Sequence, residues 1–255
     1  MDAECLDCEI WRIRYRVKHM SSSASWPTVL SIAEEQWGLV TKRQVENAGV
    51  AWSTLVRQVR SGSVERVAHS VYRIRGAGEP EHSELRAAWL QLSPSIPAWE
   101  RTREQGVVSH RSAAALYGLG LLPADVHEFT LPVRRQTRRD DVRLHRRVLS
   151  DSDWQNVGGL PVTRPHRIAA DLLAEKEDPG AVGELVADAL RAGYDYPGVV
   201  ARTVAPHAAA HGLRRGDGVG LFRWLLDLTA DPERETWLEQ VVSDATDGSV
   251  GGATT

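Results

Sequence analysis

The residues with the clearest capacity for chemistry are basic, hydroxyl and amide side chains between positions 41 and 75. Guanidinium, ammonium and amide groups donate hydrogen bonds to phosphates and to the edges of nucleic-acid bases. These groups act together only where the fold brings them to one surface. The candidate contacts are Thr41, Lys42, Arg43, Ser53, Thr54, Arg57, Gln58, Arg60, Arg73 and Arg75.

Apolar spacing and capping residues predict two short helices before residue 50. Apolar residues recur at helical spacing over about 27–37, which predicts a first helix that ends at Gly38. Thr41 and Gln44 stand three residues apart and match a capping box. A second helix is therefore predicted to begin at this point and to end at Gly49.

A third helix is predicted to begin at a cap formed by Ser53 and to end at Gly62. Its apolar residues should form a buried stripe, and its polar residues should face outward. The predicted stripe is Trp52, Leu55, Val56 and Val59, and the predicted outer face is Thr54, Arg57, Gln58, Arg60 and Ser61.

Two strands, at 64–67 and 71–75, are predicted to follow as a hairpin. Because side chains alternate along a strand, Arg73 and Arg75 should share one face, opposite to that of Tyr72. Three short helices followed by a hairpin are typical of a winged helix-turn-helix.

A winged helix-turn-helix that binds DNA inserts its last helix into the major groove. Arg57 would then reach base edges, Lys42 and Arg43 would contact phosphates at a helix start, and Arg73 and Arg75 would contact phosphates from the wing. The alternative is a winged-helix module that binds protein and leaves this polar face to solvent.

The rest of the chain is predicted to be α+β, with a small sheet and a helical, acidic C-terminal half. Strands are expected at 107–108, 128–133, 142–148 and 160–163, with Ser109 capping the helix between the first two. Residues 1–25 are predicted to be a disordered tail, or translation is predicted to start at Met20. The rest is predicted to be a winged helix-turn-helix over 26–76, a linker over 77–83, an α+β domain over 84–246 and a flexible tail over 247–255.

A second basic segment contains seven arginines within fourteen residues, a density suited to phosphate backbones. The formal net charge of −3 hides this segregation, because residues 26–76 carry a net +3, residues 134–167 a net +5 and residues 168–255 a net −8. The segment is either a second nucleic-acid patch or a solvated hairpin neutralised by nearby acids. Its arginines are Arg134, Arg135, Arg138, Arg139, Arg143, Arg146 and Arg147.

Other patterns predict no metal, no cofactor and no enzyme activity. Cys5 and Cys8 have no second ligand pair, and His207 and His211 have no third ligand at an obvious spacing. No window offers the roughly 18 uninterrupted apolar residues of a membrane span, and the N-terminus has no apolar signal region. A cytoplasmic location is expected.

Three segments resemble the AbiEi-type antitoxins of type IV toxin–antitoxin systems, over about residues 28–190. They are LVTKRQVENAGVAWSTLVRQVRSGSVERV with VYRIRG, then GVVSHRSAAALYGL, then VRLHRR with LPVTRPHRIAADLL. The resemblance implies a transcriptional autorepressor that binds operator DNA through the residues of the first segment. It also implies that the chain counters a nucleotidyltransferase-like toxin, usually without a stable complex. The arginine-rich segment is then a candidate toxin-related patch.

One departure from that family matters. Similar chains often continue into a nuclease-like domain, whereas residues 168–255 contain a single lysine, Lys176, and no acidic motif of that kind. Nuclease activity is therefore not predicted. The alternative function is a protein- or RNA-interaction module that uses the winged helix and the arginines of 134–147 without operator binding.

Overall fold

The computed structural model describes residues 26–250, with side chains described up to residue 243. The predictions for the tail over 1–25, the start at Met20 and the thiols Cys5 and Cys8 lie outside the described residues. The chain divides into two compact units. The first contains residues 26–80 and 94–97, and the second contains residues 81–93 together with the chain from 98 onward.

The first unit contains three helices and a three-stranded sheet, in the order expected for a winged helix. The sheet has the order β1-β3-β2 and is antiparallel throughout. The predicted hairpin is present, and the sheet includes a third strand, β1, that the sequence pattern did not predict. The elements are α1 (Trp26–Glu35), β1 (Leu39–Thr41), α2 (Lys42–Asn47), α3 (Trp52–Arg60), β2 (Val64–Ala68) and β3 (Val71–Ile74).

The turn after α1 explains both the end of the helix and the start of β1. Trp37 and Gly38 have positive φ values of 63° and 77°, so the chain leaves the helix two residues before the predicted end. A Cβ on Gly38 would lie 2.6 Å from the Cβ of Ala77, which only glycine avoids. The chain can therefore turn sharply here and enter the sheet.

The core of the first unit joins all three helices to the sheet. Val29 of α1, Val45 of α2 and Leu55 of α3 are fully or almost fully buried, and they pack with Val64 and Tyr72 of the hairpin. Since each helix contributes one apolar face, the opposite face of α3 is left at the surface.

The second unit is built on a five-stranded mixed sheet with the order β6-β5-β4-β8-β7. Strands β5 and β6 are parallel, so the arginine-rich connection between them is a crossover, and the predicted hairpin at this place is wrong. A hairpin requires antiparallel neighbours. The elements are α4 (Ser83–Leu92), β4 (Val107–Val108), α5 (His110–Tyr117), β5 (His127–Leu131), β6 (Val142–Arg146), β7 (Trp154–Val157) and β8 (Leu160–Thr163).

Helices form the C-terminal half of this unit, as predicted. Their fully buried side chains include Ile168, Leu185, Leu221 and Phe222, so they share one apolar core. The fold class predicted from the sequence, a winged helix-turn-helix and a mixed α/β part with a helical C-terminal half, is confirmed. The helices are α6 (Pro165–Ala174), α7 (Pro179–Arg191), α8 (Pro197–Val204), α9 (Gly218–Thr229) and α10 (Arg234–Val250), with a 3-10 helix at Ala205–His211.

In the part of the chain that the structure describes, no helix combines the length and the apolar character needed to cross a membrane.

Candidate nucleic-acid interface

The outer face of α3 presents polar side chains in a single row. Ser53, Arg57 and Arg60 are exposed, and their spacing of four and three residues puts them on one side of the helix. Thr54 and Gln58 flank this row and are half-buried. Leu55 is fully buried on the opposite side, which anchors the helix and fixes the direction of the row.

Three of the arginines predicted as contacts are not neutralised by neighbouring acids. Among the side chains that the structure describes, Arg57, Arg60 and Arg75 form no ion pair. Each is exposed. A guanidinium in this state keeps its five donors available for phosphate or base oxygens.

The start of α3 differs from the sequence prediction in two ways. Ala51 is the residue before the helix and Ser53 lies inside it, so Ser53 does not cap it. Trp52 is 47% exposed rather than buried. Its ring meets the ring of Tyr72 edge-on, at 6.4 Å between centroids, and the Nζ of Lys42 lies 4.5 Å from its centroid. The ring of Trp52 thus makes a cation–π contact with the ammonium group of Lys42 and holds that group at the surface.

Thr41 holds α2 in place from inside the unit. Its hydroxyl accepts a hydrogen bond from the backbone N–H of Gln44 at 3.1 Å, and the side chain of Gln44 accepts one from the N–H of Thr41 at 2.9 Å. The predicted capping box is present. The hydroxyl also donates to the carbonyl of Pro94, and Thr41 is fully buried. It therefore positions Lys42 and Arg43 and is not part of the surface.

Lys42 and Arg43 both approach one acid on their own helix. The Nζ of Lys42 lies 3.6 Å from Glu46, and a guanidinium nitrogen of Arg43 lies 3.4 Å from the other oxygen of that carboxylate. Both pairs are exposed, so solvent and salt weaken them. The two cations can therefore exchange this partner for a phosphate at small cost.

The two arginines of the wing have different surroundings. Arg73 donates to Glu65 at 2.9 Å and lies 3.3 Å from Glu79, and its side chain is only 16% exposed. The hydrogen bond to Glu65 raises the pKa of Arg73 above its usual value. Arg75 is exposed and has no ion pair within residues 26–243, so of the two predicted wing contacts Arg75 is the one available to a phosphate.

Arg66 is an exposed basic residue that the sequence interpretation left out. It lies on β2, opposite Tyr72 in the sheet register, and its Nε donates to the carbonyl of Ala68 at 3.3 Å. A bulge between Arg66 and Ala68 interrupts the alternation of the strand. A period-two pattern alone does not show this placement.

The arginine-rich segment of the second unit is partly neutralised. Arg139 donates from Nε to Asp141 at 2.8 Å, and Arg135 donates to the backbone carbonyl of Leu92. Arg143 lies 3.7 Å from Glu175, and Arg147 lies 3.3 Å from Asp171. The remaining three arginines are exposed and have no ion pair among the described side chains; they are Arg134, Arg138 and Arg146.

A second polar cluster lies in the same unit, beside β5 and β6. His110 and His145 stack with 3.6 Å between ring centroids and an angle of 15° between the rings. The Nε2 of His145 lies 2.9 Å from a carboxylate oxygen of Glu128, and its Nδ1 lies 3.2 Å from Glu175. One ligand atom from each of these four residues lies within 4.8 Å of the others.

Ser109 has a different role from the predicted cap. Its hydroxyl makes no capping hydrogen bond to α5. It lies 2.9 Å from the Nδ1 of His110, and it accepts a hydrogen bond from Thr130 at 2.9 Å. Burial, with help from His145 and nearby arginines, lowers the pKa of His110 to about 2, so its imidazole is neutral at physiological pH.

The fold of the first unit defines a winged helix-turn-helix domain with a basic outer face on its third helix. Residues 27–75 match the family model described as "Transcriptional regulator, AbiEi antitoxin". The predicted resemblance is confirmed for this domain, whereas its extension to residue 190 stays a prediction. A search of curated proteins gave no match.

Proposed function

We propose that this protein is a DNA-binding transcriptional repressor that acts on the operon from which it is expressed. The observation that carries the proposal is the pair of exposed, unpaired arginines, Arg57 and Arg60, on the outer face of α3. In a winged helix-turn-helix this face enters the major groove, where arginine binds the O6 and N7 atoms of guanine.

The surrounding side chains support the same docking direction. Arg75 extends from the wing, while Lys42 and Arg43 stand at the start of α2. In the proposed complex these three residues contact phosphates, which sets the position of the domain without reading sequence. Ser53 and Gln58 then lie beside Arg57, within the part of α3 that faces the bases.

The family match supports a role in a toxin–antitoxin system. We propose that the protein is the antitoxin of a type IV pair and counters a nucleotidyltransferase-like toxin without chemistry of its own. The toxin would be a functional partner, and a stable complex with it is not required. Binding to chromosomal DNA would place the protein in the cytoplasm.

A gel-shift titration with the DNA upstream of the protein's own gene tests the repressor function. We expect a specific shift that weakens as salt rises, because bound phosphates release counterions. The control variant is Arg214→Ala, which removes an exposed arginine from the second unit and should bind as the wild type does. If low salt produces no shift on this DNA, the repressor function is wrong.

Co-expression tests the antitoxin function separately. The proposal requires a nucleotidyltransferase-like toxin encoded beside the gene of this protein. That toxin, expressed alone, should arrest growth, and the full-length protein should restore growth. The Arg57→Ala variant should still restore growth when it is expressed from an unrelated promoter, because its change affects operator reading. Growth arrest that persists with the full-length protein would contradict the antitoxin role and leave the repressor role intact.

A further inference from the structure

Four side chains that the repressor function does not use converge in the second unit. His110 stands at the start of α5, Glu128 lies on β5, His145 lies on β6, and Glu175 directly follows α6. In the parallel register of β5 and β6, Thr130 is the partner of His145. Because alternate residues share a face, Glu128, Thr130 and His145 all lie on the same side of the sheet.

Glu128 is a buried acid that faces the imidazoles of His110 and His145. Its side chain is almost fully buried, and among the described residues its ion-pair partners are the two imidazoles. A compensating positive charge stabilises a buried carboxylate. A cation bound between Glu128 and the two imidazoles would supply that charge and would contact both kinds of ligand.

We propose that His110, Glu128, His145 and Glu175 form a binding site for one divalent transition-metal ion, for which zinc is the best fit. Two imidazole nitrogens with two carboxylate oxygens are ligands that zinc accepts in tetrahedral geometry. Magnesium and calcium prefer oxygen ligands throughout, so they suit this set less well. The two carboxylates balance the charge of a divalent ion.

Groups around the cluster orient its ligands. Ser109 contacts the Nδ1 of His110, and Arg143 lies 3.7 Å from the Glu175 oxygen that does not face His145. Outer partners of this kind fix ring and carboxylate orientation in metal sites. Glu128 and His110 are buried, while Glu175 and His145 are partly exposed, which leaves a side from which an ion can enter.

Ion binding requires a small local rearrangement. Zinc holds nitrogen and oxygen ligands at about 2.0–2.2 Å, so donor atoms that are now up to 4.8 Å apart must move closer. The two rings turn out of their stacked arrangement, and His145 exchanges its hydrogen bonds for coordination through one nitrogen. The ion then links β5, β6, α5 and the end of α6, so it stabilises the second unit.

Metal binding by the full-length chain tests the proposal directly. The experiment uses a Cys5→Ser, Cys8→Ser background, because thiols elsewhere in the chain would compete for zinc. After treatment with a chelator, the protein should take up one zinc ion in calorimetric titration, and its thermal unfolding midpoint should rise. Cobalt should give visible absorption bands typical of a low-symmetry protein site.

Two variants assign the ion to this cluster. Loss of a group that only orients a ligand lowers metal affinity by about 10- to 100-fold. Glu128→Gln and His145→Gln each remove a ligand, so each should lower zinc affinity by at least that factor. His127→Gln is the matched control, because His127 precedes Glu128 on the same strand and is not part of the cluster. It should bind zinc with wild-type affinity.

Absence of stoichiometric zinc binding would overturn the proposal. Unchanged affinity in both cluster variants would also overturn it. X-ray absorption of the zinc-loaded Cys5→Ser, Cys8→Ser chain covers the case in which a cluster variant fails to fold. It should show imidazole and oxygen ligands, and a shell without imidazole would contradict the assignment.

Discussion

Two regions of this molecule are rich in arginine, and they differ in how many of their arginines are already bound by other groups of the protein. On the winged helix, two of six arginines, Arg43 and Arg73, contact an acid. The other four are exposed and form no ion pair among the described side chains; they are Arg57, Arg60, Arg66 and Arg75. In the arginine-rich segment over 134–147, four of seven arginines already contact acids or a backbone carbonyl. Those four are Arg135, Arg139, Arg143 and Arg147.

The difference shows that arginine density alone does not define a nucleic-acid surface. An arginine that pairs with a buried carboxylate, as Arg147 does with Asp171, binds a phosphate only at the cost of leaving that carboxylate without its partner. Glu175 and Asp171 come from the acidic part of the chain that begins at residue 168, so this part directly neutralises Arg143 and Arg147. The basic segment over 134–167 and the acidic segment over 168–255 are therefore joined by ion pairs, although three arginines of 134–147 form none among the described side chains.

The largest effect is expected from the first region. Arg57→Ala should weaken binding to the operator by about 1–3 kcal/mol, which is roughly 5- to 150-fold, if Arg57 binds a base. Nonspecific DNA should lose less. Fluorescence anisotropy with operator and scrambled duplexes measures both. Equal losses on the two duplexes would identify Arg57 as a phosphate contact.

The second effect separates residues that position the interface from residues that form it. Thr41→Ala should lower the free energy of unfolding by about 1 kcal/mol, within a range of about 0.5–2, because it removes a helix cap. Ser53→Ala is the matched control and should change stability by less than about 0.5 kcal/mol. Chemical denaturation measures both free energies of unfolding. Equal losses in the two variants would indicate that Ser53 caps α3 after all.

The third prediction compares the two arginines of the wing. Arg75→Ala should reduce the slope of log K against log salt by about 0.9, the value for one phosphate contact on duplex DNA. Arg73→Ala should change the slope less, because Glu65 and Glu79 already hold that guanidinium. A larger change for Arg73 than for Arg75 would contradict the contacts described for the wing.

The smallest effect is expected from the second region. Replacing its unpaired arginines, Arg134, Arg138 and Arg146, by glutamine should weaken nonspecific binding of DNA or RNA by less than about threefold at moderate salt, since exposed charges are screened. Replacing Arg139, Arg143 and Arg147 should weaken it still less. If the unpaired set causes a loss on RNA larger than Arg57→Ala causes on DNA, the RNA-interaction alternative gains support.

Local signals in the sequence account for the predictions that the structure confirms. The capping box joins Thr41 and Gln44, which are neighbours within one turn, so no distant part of the chain is needed to form it. Helical spacing likewise located the buried face of α3 through Leu55. The prediction for Trp52 is wrong because its position at the first residue of the helix lets Lys42 and Tyr72 hold the ring at the surface.

The helices of the winged domain, the α+β class and the polar row on α3 follow from the amino-acid sequence, because these features depend on periodicity and on residues close along the chain. Tertiary packing sets which charges are paired. It also determines that β5 and β6 run parallel and that His110, Glu128, His145 and Glu175 meet. The pairing of β5 with β6 and the four-residue cluster join residues 15 or more positions apart, and no local pattern specifies such contacts.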